Sequence, residues 1–190
     1  ELFTGGAKLL PLAGAGAKIA PETLETAIAR YPARPPHGAP AKALSITQAT
    51  ECGTLYSLEE LKALCDVAHA HNLSVHMDGA RFANAFVSLG CTPAEMTWKS
   101  GIDVLSFGGT KNGCFAAEAV VFFNPEMAGD FIYKRKRSGH LFSKLRFISA
   151  QFEAYLSEGR WLGYASHANA MAARLSAGLA KIDGVKIWYP

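Results

Sequence analysis

Four short apolar runs, at 42–47, 73–77, 102–107 and 119–123, each have the length of a buried strand. Helical spacing of apolar residues fills the stretches between the first three runs. Short apolar strands alternating with helices predict an α/β chain, a three-layer α/β/α fold around a mainly parallel sheet. In such a sheet, ligands bind beyond the carboxyl ends of the strands. The residues that follow each run are therefore the ones to search for chemistry.

The remaining elements follow from local signals. The chain opens with a Gly/Ala-rich loop through Gly14-Ala15-Gly16. Pro21-Glu22 starts a helix to about Arg30, since proline suits a first turn and acid suits its positive end. Pro32, Pro35, Pro36 and Pro40 mark a linker that is neither helix nor central strand. Ser57 and Glu60 form a capping box, and Leu58, Leu61, Leu64, Cys65 and Ala68 of the helix beyond it have core spacing. Further helices are expected at 82–89 and 92–99, then, after Asn124-Pro125, at 125–137, 139–158 and 166–182. Glu1 is not a methionine, and another strand begins as the sequence reaches Trp188-Tyr189-Pro190, so a piece of a larger enzyme is expected.

Composition removes several classes. With 49% hydrophobic and 18% charged residues, the chain can bury an ordinary core. A net charge of +3 is too small to imply nucleic acid or a membrane surface. The basic run Lys134-Arg135-Lys136-Arg137 reads as a solvated helix face. No apolar stretch approaches the roughly 18 residues of a membrane span. Cys52, Cys65, Cys91 and Cys114 form no C-x-x-C pair, which argues for reduced thiols and a cytoplasmic location. His69 and His71, two apart on a helix, point away from each other, so no metal site is expected.

Two segments carry the chemistry: His76-Met77-Asp78-Gly79-Ala80-Arg81 and Ser106-Phe107-Gly108-Gly109-Thr110-Lys111-Asn112-Gly113. Each follows an apolar run, so an acid and a lysine stand where a strand opens into a loop. An acid to hold a pyridinium proton and a lysine to form an imine are what pyridoxal phosphate asks of a protein. The competing reading of Asp78 is a cap for the helix that follows. His76 shares a strand face with Asp78 and is either its hydrogen-bonded support or a satisfied core histidine. The glycines before Lys111 allow backbone to approach a ligand closely, and burial would lower the pKa of the amine.

On these segments the chain resembles the low-specificity L-threonine aldolases of the type I pyridoxal-phosphate fold, in the aspartate aminotransferase-like superfamily. The resemblance runs from Phe3-Thr4-Gly5-Gly6-Ala7-Lys8-Leu9-Leu10 to His167-Ala168-Asn169-Ala170-Met171. Thr47-Gln48-Ala49-Thr50-Glu51-Cys52-Gly53-Thr54 and Lys144-Leu145-Arg146-Phe147 support it. It implies residues 1–159 as part of a cofactor-binding large domain and 160–190 as an interdomain helix and the start of a smaller domain. It further implies Lys111 as covalent anchor, Asp78 on the pyridine nitrogen, His76 beside it, and Arg81 on the cofactor or substrate carboxylate. Arg146 would reach the phosphate of a neighbouring subunit in a homodimer or homotetramer with an intersubunit site.

The implied reaction is cleavage of L-threonine or L-allo-threonine to glycine and acetaldehyde, a lyase step in amino-acid metabolism and glycine biosynthesis. The family's phosphate loop, ring-stacking histidine and carboxylate-gripping arginine would fall outside residues 1–190, so the chain alone is expected to be a crippled catalyst. Two alternatives stay open, a β-eliminating lyase of the same fold and a non-catalytic α/β domain. A nicotinamide site is not expected, because Gly14-x-Gly16 lacks a third glycine opening a helix.

Overall fold

A computed structural model describes residues 4–189; Glu1, Phe3 and Pro190, named above, lie outside the described residues. Helix α1 (Pro21–Arg30) precedes strand β1 (Ala43–Thr47), helix α2 (Leu58–Ala70) and strand β2 (Ser74–Gly79). Helices α3 (Phe82–Leu89) and α4 (Pro93–Met96) lead to β3 (Val104–Gly108), and β4 (Glu118–Phe122) follows. Helices α5 (Phe131–Arg137), α6 (Arg146–Leu156) and α7 (Arg160–Leu179) complete the described chain. The strands lie in the order β1-β2-β3-β4, with β1, β2 and β3 parallel and β4 antiparallel to β3. The α/β class with a mainly parallel sheet is as expected.

Local chemistry accounts for the starts and stops. Ser57 Oγ accepts from Glu60 N while Glu60 Oε2 accepts from Ser57 N, the reciprocal cap that opens α2. Thr92 and Glu95 repeat the device at α4. The helix expected at 92–99 nevertheless ends at Met96, because Thr97 adopts φ −123°, ψ −108° and only a 3-10 turn, Trp98–Ser100, follows. The helix expected at 125–137 divides into a 3-10 turn, Pro125–Ala128, and α5. The helix expected from 139 begins at Arg146 instead; Gly139 and Lys144 have φ +79° and +62°, which a right-handed helix excludes. Glu158 and Gly159, also at positive φ, separate α6 from α7, which starts six residues before the expected 166. No strand forms at 185–189.

The sheet has two unlike faces. Register pairs Leu44 with Val75, and Ile46 with Met77 and Leu105, on one face. These five are buried together with Leu61, Leu64, Cys65 and Ala68 of α2 and Phe82 and Ala85 of α3. A fully buried leucine such as Leu64 contributes about 1.5–3 kcal/mol relative to exposure, so this layer dominates stability. The burial expected for Leu58 is only partial, since it flanks the cluster at the first turn of α2. Ser45, His76, Asp78, Val104 and Ser106 occupy the other face, where Phe122 of β4 meets Phe131 of α5 at 5.1 Å between ring centroids.

Gly79 closes β2 because nothing larger fits. A Cβ there would stand 2.7 Å from Leu105 Cδ1 and 2.8 Å from the Ser106 carbonyl oxygen. The chain therefore leaves the sheet at the residue after Asp78 with its backbone pressed onto β3.

Candidate active site

Parallel pairing sets Asp78 beside Thr47 on one side and Ser106 on the other. It is the last side chain of β2 before Gly79, so it stands at the carboxyl edge of the sheet. Asp78 Oδ1 accepts the Ala80 N–H at 2.9 Å. Oδ2 makes no hydrogen bond among the described residues. Helix α3 has Arg81 at its N-cap position with no side-chain cap, so Asp78 is not the cap of that helix. It braces the turn that leads to Arg81 and keeps one oxygen open.

His76 does not hydrogen-bond to Asp78. Its Nδ1 lies 2.8 Å from Ser45 Oγ and its Nε2 2.8 Å from Ser106 Oγ, tying three strands together on the polar face. A neutral imidazole offers one donor and one acceptor, which two hydroxyls satisfy. Burial pushes the His76 pKa below 6.5, opposed in part by the charge of Asp78. The sign of the linkage follows. An unfolded histidine takes up its proton as pH falls through about 6.5, while the folded one resists, so the folded state loses stability on that side. The thermal midpoint of the protein is expected to fall between about pH 7.5 and pH 5.5, and His76→Gln to shrink that fall in a calorimetric series. An unchanged pH slope in the variant would remove His76 as its source.

Arg81 makes a two-pronged ion pair with Glu51, Nη1 to Oε1 at 2.9 Å and Nη2 to Oε2 at 3.0 Å. The hydrogen bonds from Arg81 and then its charge, with a further pull from Lys111, hold the Glu51 carboxyl below its ordinary 4.5. Glu51 carries no role in the sequence reading, although it lies four residues past the end of β1 at the same sheet edge. An acid in that position is the signal that could have found it.

Lys111 sits on a 3-10 turn, Thr110–Asn112, just after β3. The burial expected of it is not found; its side chain is exposed, since only a short turn separates it from the open edge. The glycines around it serve packing within the protein. A Cβ on Gly108 would stand 2.9 Å from Ala80 Cα, and one on Gly109 2.9 Å from Cys114 Sγ. Their missing side chains let the two turns approach each other closely. The Gly108 contact locks the Asp78 turn against the Lys111 turn, so both segments open at one edge.

Arg146 stands apart at the first turn of α6, exposed, its guanidinium 4.8 Å from the Phe147 ring centroid. No hydrogen bond or ion pair joins it to Asp78, Arg81 or Lys111. Cys114, next to the loop, is partly buried with its thiol pKa raised by desolvation and then by Glu118, which suits packing. All four cysteines are free, and the described residues hold no cluster able to bind a metal ion. No helix among them is long and apolar enough to cross a membrane.

The donor set at the edge is an exposed primary amine, a carboxylate with one uncommitted oxygen, and a guanidinium. It fits a ligand with a carbonyl, a protonated ring nitrogen and an anionic group, as pyridoxal phosphate has.

Known proteins resemble this chain throughout its length. The sequence profile of the family described as beta-eliminating lyase matches residues 1–188. A low specificity L-threonine aldolase of a Pseudomonas species is 48% identical over all of this chain, and one of Pseudomonas aeruginosa is 44% identical. The chain spans about half of each, 54% of their length. Among solved structures, the threonine aldolase of Leishmania major superposes with a TM-score of 0.89 at 28% identity, over 98% of this chain and 54% of that one.

Proposed function

The chain belongs to the beta-eliminating lyase family, and from that premise we propose that it is part of a pyridoxal-phosphate-dependent threonine aldolase. The observation that carries the reading is that the Asp78 turn and the Lys111 turn leave the sheet at one edge, with the Gly108 backbone seated against Ala80. The names of the full-length relatives favour aldol cleavage over β-elimination. The substrate we assign is L-threonine or L-allo-threonine, and the products glycine and acetaldehyde. We further assign a cytoplasmic location and a homodimer or homotetramer in which Arg146 reaches the neighbouring subunit's phosphate.

Pyridoxal phosphate, when bound, supplies an electron sink for charge developing at the amino-acid Cα. Lys111 Nζ is its covalent anchor in this reading. Asp78 Oδ2, left open by the turn, accepts the ring N–H and holds that proton in place. Arg81 binds an anionic group, either the cofactor's phosphate or the substrate's carboxylate, and Glu51 orients the guanidinium through both its nitrogens.

The test is product analysis with the full-length protein, pyridoxal phosphate and each threonine diastereomer. Equimolar glycine and acetaldehyde are expected. Ammonia with a keto acid would replace the aldolase reading by β-elimination. No turnover of either substrate, with pyridoxal phosphate bound, would leave the non-catalytic alternative.

A further inference from the structure

We propose that Asn112 is a positioning residue for Lys111, through a buried amide anchor that fastens the lysine turn to α6 and α7. The inference deepens the functional reading above and rests on it for the role of Lys111. Asn112 is only 7% exposed, directly beside an exposed lysine. Its Nδ2 donates to Tyr155 Oη at 2.6 Å and to the Trp161 carbonyl at 2.9 Å. The carbonyl can only accept, so the amide orientation is fixed by chemistry and both its hydrogens are committed.

The anchor points are themselves rigid. Tyr155 is 3% exposed and packs in an aromatic cluster with Phe107, Phe152 and Trp161, at ring separations of 6.3, 6.4 and 6.3 Å. Phe107 belongs to β3, so the cluster ties the anchor back to the strand that delivers the lysine. On the far side of the turn, Gly113 has φ +113° and its α-carbon lies against the Tyr164 ring, where a Cβ would be 3.0 Å from the ring. Gln151 Oε1 then accepts from Phe115 N and Ala116 N, holding the next stretch of loop to α6.

A lysine side chain has four rotatable bonds, and what fixes where its amine can reach is the backbone that carries it. Here that backbone is a single 3-10 turn, too short to hold itself. Without the Asn112 amide, the turn would keep the Gly109 carbonyl bonds to Asn112 N and Cys114 N and the Ala117 N–H bond to Thr110 Oγ1, but lose its own hydrogen bonds to α6 and α7, leaving only the Gly113 contact and the Gln151 bonds further along the loop. Asn112 touches no reacting atom in this account; it acts through Lys111.

The experiment compares the full-length wild-type protein with Asn112→Ala and Tyr155→Phe, the second losing only the phenol and keeping the Trp161 bond. Two readouts are taken below the thermal midpoint of each protein. The first, without cofactor, is hydrogen–deuterium exchange of the peptide covering 110–116. The second is borohydride trapping of pyridoxal phosphate, with the share attached at Lys111 measured by peptide mapping. Exchange in 110–116 is expected to rise about tenfold or more in Asn112→Ala, and less in Tyr155→Phe, with distant peptides unchanged. The trapped share at Lys111 is expected to fall in the same order.

A loss of thermal stability with unchanged exchange in 110–116 and unchanged trapping would make Asn112 merely structural and overturn the proposal. Should Asn112→Ala fail to fold, Tyr155→Phe decides by the same two readouts. Wild-type protein with no cofactor at Lys111 would overturn the functional reading and, with it, the positioning role.

Discussion

Lys111→Ala is expected to abolish covalent attachment of pyridoxal phosphate and to lower kcat/KM for threonine by about three orders of magnitude or more, while leaving the fold intact. The fold is safe because the side chain is exposed and makes no hydrogen bond among the described residues. Surface truncations of that kind usually change stability by less than about 0.5 kcal/mol. The chemistry is not safe, because a covalent nucleophile cannot be replaced by its neighbours: the always-protonated guanidinium of Arg81 cannot form an imine. The visible absorption of bound cofactor, followed in wild type and variant, checks the claim. A variant that keeps both the band and its turnover removes Lys111 from the role.

Asp78→Asn is the second large effect. Asparagine keeps the shape and the oxygen that accepts the Ala80 N–H, so the turn survives. What it loses is the negative charge facing a ring N–H. Removing one partner of a buried charge pair costs about 3–5 kcal/mol, or roughly 10²–10⁴ in rate when the pairing matters at the transition state. Asp78 is only partly buried, so the lower end is expected, about a hundredfold in kcat with KM little changed. Steady-state kinetics of the full-length variant decide it, and wild-type kcat would dismiss ring protonation by Asp78.

Much of this was legible in the sequence, and the reasons are local. The capping box at Ser57 and Glu60 fixed the start of α2, and proline fixed that of α1, because those signals act within one turn. The edge positions of Asp78 and Lys111 followed from strand-then-loop order alone. The departures have two causes, local backbone conformation in loops and the invisibility of long-range partners. Gly139 and Lys144 take positive φ in a stretch whose composition reads as helix. Glu51, which pairs with Arg81 through both its oxygens, lies thirty residues before it in the chain and could not be read as its partner. That the glycines before Lys111 also admit Ala80 and Cys114 could not be read, since the fold alone brings those residues in. Asn112 could not have been singled out, since Tyr155 and Trp161 lie 43 and 49 residues further on.

The reversal of β4 gives the two chemical groups different histories. Because β4 runs back along β3, the amine rides on a hairpin whose ends, Gly108 and Glu118, are already partners in the ladder. Closing so short a segment costs little chain entropy. The acid instead waits for β2 to dock beside β1 after the long detour through α2, a slower kind of encounter. During folding the β3–β4 ladder would close first, and the acid and the helices that fasten the lysine turn would arrive afterwards, so slow-folding variants with damage in the β1–α2–β2 crossover should retain β3–β4 pairing that lacks its acidic companion.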